Sequence, residues 1–165
     1  MYNERRELTG LEHRREDKIP QEYYYLVVHV WIKNKKGEYL ISQRSSDRPT
    51  YPLMWECVGG SVLKGEDSLT GALRETEEEA GIRLSLKDGK LIHSVSGRIA
   101  DGVMFSDIVD VRLFEYDGKV DPGTATTKEV AQVEWMKRSK IKDCLKTVSS
   151  QKHSDISLNL TVYRT

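Results

Sequence analysis

The sequence predicts an α+β fold, a β-sheet carrying helices, and three observations lead there. Runs of β-branched and aromatic residues recur on both sides of position 60, one strong helical stripe occupies 68–80, and a weaker one follows near 140. A length of 165 residues suits one domain with a substantial core. No repeat, low-complexity tract or linker argues for a second domain. The domain is therefore read as 1–165, with an N-terminal arm at 1–20 and a C-terminal tail at 149–165.

The arm is rich in Arg and Glu, with Thr9-Gly10 as a turn and Pro20 as a break. It reads as a short hairpin or a partly mobile segment. Its His13, Arg14 and Arg15 are read as charged surface decoration in preference to a phosphate contact. Residues 23–33, Tyr-Tyr-Tyr-Leu-Val-Val-His-Val-Trp-Ile-Lys, have the composition of a buried central strand. His29 there is read as a satisfied cross-strand histidine. After the turn Asn34-Lys35-Lys36-Gly37, the alternation of 38–44 predicts a second strand antiparallel to the first. The segment 45–53, with Pro49, Tyr51 and Pro52, is a loop bordering a pocket. Residues 55–60 form a short strand, with Trp55 in the core.

The helical stripe is the chemical centre of the chain. At about 100° per residue, Leu69, Ala72, Leu73, Thr76 and Ala80 share one face, while Glu75, Glu78 and Glu79 gather on the adjoining one. Carboxylates at i, i+3 and i+4 lie roughly 5–6 Å apart at Cβ, close enough to share a cation. On a solvated surface their repulsion costs only about 0.2–0.5 kcal/mol per pair, so an acidic surface face is the plain alternative. In a cleft of effective dielectric near 20 each pair costs about 3 kcal/mol, which a hard divalent cation offsets. Mg²⁺ suits such a set because it prefers oxygen ligands and keeps waters that substrate phosphates displace. Gly59, Gly60 and Gly65 lead in, Asp67 or Ser68 caps the helix, and Gly81 stops it.

Beyond it, 91–100 and 103–116 read as strands around an Asp101-Gly102 turn. Residues 119–128, with Pro122 and Gly123, form an exposed loop over one end of the sheet. Residues 129–136 are a late strand. Ser139 caps a helix to Thr147 that packs through Ile141, Cys144, Leu145 and Val148. The alternation of 156–163 either adds a strand to a sheet edge or reaches a second subunit, as in a homodimer.

Lys+Arg and Asp+Glu both total 26, so no global field marks a nucleic-acid or membrane partner. Two cysteines, Cys57 and Cys144, fit no metal-ligand spacing. No apolar run approaches the roughly 20 residues of a membrane span, and the charged start lacks a secretory apolar region. The expected location is the cytoplasm.

Gly60, then Glu66, then Arg74-Glu75-Thr76-Glu77-Glu78-Glu79-Ala80-Gly81-Ile82 resembles the Nudix box, G-x5-E-x7-R-E-U-x-E-E-x-G-U, with U a bulky aliphatic. Every fixed position matches and Thr76 is the one departure. Its hydroxyl can bond back to a carbonyl in the preceding turn, so a small packing cost is expected without loss of chemistry. Flanking features resembling the family run from about residue 24 to 141.

The resemblance implies the Nudix α/β/α sandwich, with a mixed sheet and the box as loop–helix–loop. It also implies cleavage of the diphosphate linkage in a nucleoside diphosphate joined to another group. Mg²⁺, with Mn²⁺ as the alternative, would be held by Glu75, Glu78 and Glu79 with the Gly59 carbonyl. The proton of the attacking water would pass to Glu78, Glu79 or Glu129, which the resemblance places ahead of the late strand; an exposed strand-edge glutamate is the other reading. Arg74 would orient a box glutamate or Glu66. Arg44, Gly60 and Lys64 are the candidate contacts to a small-molecule diphosphate substrate. Two other readings stay open. One is an isomerase resembling isopentenyl diphosphate isomerase, suggested by His29-Val30-Trp31-Ile32, although that enzyme's cysteine position holds Gly59 here. The other is a noncatalytic nucleotide sensor, against which all box glutamates are present.

Overall fold

The structure, a computed structural model, describes residues 1–14, 17–97, 99–100 and 103–149. Its spine is β1 (Tyr25–Lys33), whose alternation puts Val28, Val30 and Ile32 into one hydrophobic cluster and Trp31 into another on the opposite face. Along one side β1 forms a parallel ladder with β8 (Asp107–Glu115), in register from Tyr25↔Asp107 to Lys33↔Glu115. Along the other it pairs antiparallel with β4 (Val58–Ser61), setting His29 opposite Gly59.

The strand expected after the first turn is β2 (Tyr39–Arg44). It is antiparallel to β1, but only Lys33↔Tyr39 joins them. Its long ladder is with β9 (Val130–Met136), and β3 (Trp55–Glu56) flanks it. The single strand expected at 55–60 is therefore two, divided at Cys57, because β3 joins β2 while β4 joins β1. Outside β8 lies β5 (Lys90–Ser96), antiparallel, which completes a seven-stranded mixed sheet.

The expected hairpin of 91–100 and 103–116 is likewise divided. β6 (Ile99–Ala100) and β7 (Val103–Met104) form a separate small pair. Gly97, in left-handed backbone at φ 65°, breaks the first arm and donates its N–H to the Asp107 carbonyl. The Asp101-Gly102 turn lies outside the described residues, as does the strand expected within 156–163.

Helix α1 (Ser68–Ala80) packs on the face of Val28, Val30 and Ile32 through Ala72 and Ala80. It starts where Asp67 accepts from the Thr70 N–H at 2.7 Å and ends at Gly81, left-handed at φ 66°, both as its sequence requires. Thr76 is fully buried, and its Oγ1 donates to the Ala72 carbonyl at 2.7 Å. An unsatisfied hydroxyl there would cost about 1–3 kcal/mol, and the back-bond removes that cost. Helix α2 (Arg138–Ser149) covers the other face through Ile141, with Cys144 beside it. The side chains of Leu145 and Val148 lie outside the described ones. A helix on each face makes the α/β/α sandwich. Among the described residues no helix is long and apolar enough to cross a membrane.

The arm does form a short hairpin, through the bridges Tyr2↔Leu8 and Tyr2↔Tyr24, and it is tied to the sheet. Arg6 donates to both carboxylate oxygens of buried Asp110 on β8, at 2.8 and 2.9 Å. His13 Nε2 bonds to the Asp17 carbonyl, while Arg15 lies outside the described residues.

Candidate functional site

Four carboxylates and one guanidinium are brought together where α1 crosses β4. Arg74, immediately before the first acid of the acidic face, is the hub. Its Nε donates to Glu66 Oε1 at 2.8 Å and its Nη2 to Glu66 Oε2 at 3.1 Å, a two-pronged pair. Nη1 donates to Glu75 Oε1 at 2.9 Å and Glu78 Oε2 at 3.0 Å, and Nη2 also reaches the Ser61 carbonyl at 2.9 Å. Arg74 thus bonds Glu66 and two of the three helix glutamates at once. The Glu66 carboxyl is held below its ordinary value by Arg74.

Glu75 lies against Gly60: a Cβ at position 60 would stand 2.4 Å from the Glu75 carboxyl carbon, so any other residue there would push the carboxyl aside. Burial raises the Glu75 carboxyl, opposed by Arg74 and reinforced by the charges of Glu78 and Glu129. Glu79 is the most enclosed acid of the three and accepts a hydrogen bond from the Gly59 N–H at 3.3 Å. Burial pushes it up to about 8, with Glu75, Glu56 and Glu129 adding repulsion against the Gly59 bond. Glu78 is the most exposed of the three, with 36% of its side-chain surface accessible.

The three helix acids are thus divided, Glu75 and Glu78 on Arg74 and Glu79 on Gly59. Among the described residues no group of three or more His, Cys, Asp or Glu side chains is disposed to hold a metal ion by itself.

Glu129, immediately before β9, is close enough for its charge to act on both Glu75 and Glu79, and it pairs with Arg48 Nη1 at 2.5 Å. Arg44 closes β2 with all three guanidinium nitrogens engaged. Nη1 donates to Glu56 at 2.7 Å, Nε to the Thr50 carbonyl at 3.0 Å and Nη2 to Thr50 Oγ1 at 3.3 Å. Lys64 is exposed on the loop before α1 and pairs with Glu12 of the arm.

Sequence reasoning missed Glu56 and Arg48. Glu56, on β3, is raised by burial against its bond from Arg44, and its charge acts on Glu79. The available signal was one acid inside the otherwise apolar Trp55-Glu56-Cys57-Val58 run. Nothing local marked Arg48. Cys57 is partly buried against the Trp31 cluster, and burial pushes its thiol up, the opposite of what a reactive thiolate needs.

The sequence matches the family described as "NUDIX domain" over residues 24–156. It is 34% identical over 142 residues to an uncharacterized Nudix hydrolase of Listeria innocua, covering 86% of this chain and 80% of that one. Over 87 residues it is 45% identical to an uncharacterized Nudix hydrolase of Listeria monocytogenes, a match that covers 52% of each chain. A crystal structure from Deinococcus radiodurans superposes with a TM-score of 0.69 at 23% identity, over 99% of this chain and 95% of that one.

Proposed function

The chain belongs to the Nudix hydrolase family, and on that premise we propose that it is a divalent-metal-dependent enzyme that cleaves the diphosphate linkage of a nucleoside diphosphate joined to another moiety. The observation that carries this reading is the Arg74 hub, which gathers Glu66, Glu75 and Glu78 beside the enclosed Glu79. A surface acidic face would not enclose a glutamate whose carboxyl rises to about 8 among three other acids.

The donor set fits Mg²⁺ or Mn²⁺. Mg²⁺ binds through one or two carboxylates plus waters and substrate phosphates, so a closed cage of protein side chains is not required. Glu75, Glu78 and Glu79, with the Gly59 carbonyl, are the residues that would hold it. When bound, the cation supplies charge neutralisation for the diphosphate oxygens and polarisation of water. Arg74 fixes where Glu75 and Glu78 stand. Glu78, Glu79 and Glu129 are the groups that can take the proton of water. Gly60 keeps the loop backbone close to the acids. Lys64, by exchanging Glu12 for phosphate, and Arg44, by exchanging Thr50, are the proposed substrate contacts. The raised thiol of Cys57 argues against the isomerase reading.

The test is product release from a panel of nucleotide and non-nucleotide diphosphates with Mg²⁺, comparing the wild type with Glu78→Gln and Glu79→Gln. Turnover lost in both variants is expected. No turnover on any panel member by folded wild-type protein would sink the proposal.

A further inference from the structure

The first residue of α1 is held by charged groups as well as by packing. Ser68 is buried, and its Oγ accepts from Arg112 Nε at 3.0 Å and Nη2 at 2.8 Å. With both donors on the oxygen, its own proton goes to Asp110, which is also buried and stands two positions before Arg112 on β8. Asp110 also accepts from Ser94 Oγ of β5 at 2.7 Å and from both Nη atoms of Arg6. The N-terminal arm therefore reaches the start of α1 through one carboxylate and one hydroxyl.

Arg6 is brought there in left-handed backbone, at φ 63°. That conformation is uncommon outside glycine and persists where the surroundings over-determine it. Asn3 builds the turn: its Oδ1 accepts from the Arg5 and Glu7 N–H groups, both at 3.0 Å, and its carbonyl accepts from the Arg6 N–H at 2.9 Å. Farther along the arm, Glu12 pairs with Lys64 in the loop between Gly60 and Glu66. The arm thus bears on the chain on both sides of Glu66, at Lys64 directly and at Ser68 through Asp110. Packed apolar groups would attach an arm as firmly, since replacing a buried ion pair with them is often neutral or stabilising, and what a bonded charge network can add is one fixed arrangement. The part fixed here is the turn from which Glu66 meets Arg74 Nε and Nη2, leaving Nη1 for Glu75 and Glu78.

We infer that Arg6 is a positioning residue of the carboxylate site: through Asp110 and Ser68 it sets where α1 begins, and with it where Glu66 presents Arg74 to Glu75 and Glu78. The inference rests on the hydrolase reading above for what those acids do, and it makes the arm part of the working site.

The experiment is a double-mutant cycle on the full chain, with wild type, Arg6→Ala, Ser68→Ala and the double variant, and with Arg6→Lys as the conservative change. Each protein is melted to establish that it is folded, its Mg²⁺ binding is measured by calorimetry, and kcat and KM are taken on whichever panel substrate is turned over. Arg6→Ala and Ser68→Ala are each expected to weaken Mg²⁺ binding and to lower kcat by about tenfold, the low end of the losses caused by removing partners of metal-binding acids, with KM changing less than kcat. The double variant should lose no more than the worse single one, because both act along one path, and Arg6→Lys should regain part of the loss. A tie that only stabilises the fold lowers melting temperatures but leaves Mg²⁺ affinity and kcat unchanged. That result in folded variants overturns the inference and leaves the hydrolase reading standing, as do losses that multiply in the double variant. If Arg6→Ala does not fold, Arg6→Lys takes its place in the cycle. No turnover by folded wild type sinks the hydrolase reading, and the Mg²⁺ affinities then decide the role of Arg6. A wild type that binds no Mg²⁺ either overturns both.

Discussion

Thr127 closes on Glu78 twice: its backbone N–H and its Oγ1 each donate to the Glu78 carbonyl at 3.2 Å, and the Thr126 N–H adds a third bond at 3.0 Å. That carbonyl belongs to the last turn of α1, where the helix has no partners of its own to offer. Thr124 Oγ1 similarly reaches the Gly81 carbonyl at 3.2 Å. The 119–128 loop is thus fastened to the end of the helix that carries the acids.

Thr127→Val keeps the shape and the backbone bond but removes the Oγ1 donor. The expected loss of stability is about 1 kcal/mol, read from urea denaturation midpoints. Turnover on the best panel substrate should fall by more than that loss explains at temperatures where the variant is fully folded. Unchanged kcat would show that the loop anchors α1 without positioning Glu78.

Arg74→Ala leaves Glu66, Glu75 and Glu78 without their shared cation. Breaking a partly buried charge network by removing one partner costs about 3–5 kcal/mol where burial is complete, and less here because Arg74 is a fifth exposed. A divalent cation should restore part of that loss, since it meets the same acids. Melting curves with and without Mg²⁺ are therefore expected to show a larger rise for Arg74→Ala than for wild type. An equal rise in both would mean that the cation binds elsewhere.

The parts of the molecule legible in the sequence are those written in local spacing. The Asp67 cap, the Gly81 stop and the Thr76 back-bond all lie within one helix and its flanks. The pairings that complete the site join distant stretches. Arg48 meets Glu129, Arg44 meets Glu56, and β2 finds most of its ladder on β9. Strand composition announces that β1 is central but not that its long partner is the parallel β8, because partner choice is made by tertiary packing. The division of the 55–60 strand at Cys57 has the same origin, two strands serving two different partners.

Arg6 and Asp110, 104 positions apart, form such a pairing with a pH signature. Burial raises the Asp110 carboxyl, but bonds from Arg6, Ser68 and Ser94 outweigh it and hold it below its ordinary value. A depressed carboxyl contributes stability that is present above its unfolded pKa, about 3.9, and is lost as pH falls through the folded value. Arg6→Ala should therefore be less stable than wild type by about 1–3 kcal/mol at pH 7, discounted toward the lower end because Arg6 is 39% exposed. The gap should close below about pH 4. Urea unfolding at several pH values measures it, and a gap that persists in acid would assign the effect to packing of the arm.

Glu79 gives the opposite sign. Its carboxyl rises to about 8 in the fold, so the folded protein binds more protons than the unfolded chain from about pH 4.3 upward. Stability from this group is full below the unfolded value and is lost as pH rises through the folded one. A cation needs the carboxylate, so Mg²⁺ must displace that proton. Apparent Mg²⁺ affinity, read by calorimetry between pH 6 and pH 9, should climb up to about pH 8 and then level. Glu79→Gln has no proton to displace and should bind more weakly with a flatter profile. If the wild-type profile is flat while Mg²⁺ binds, Glu79 is not among the residues that hold the cation.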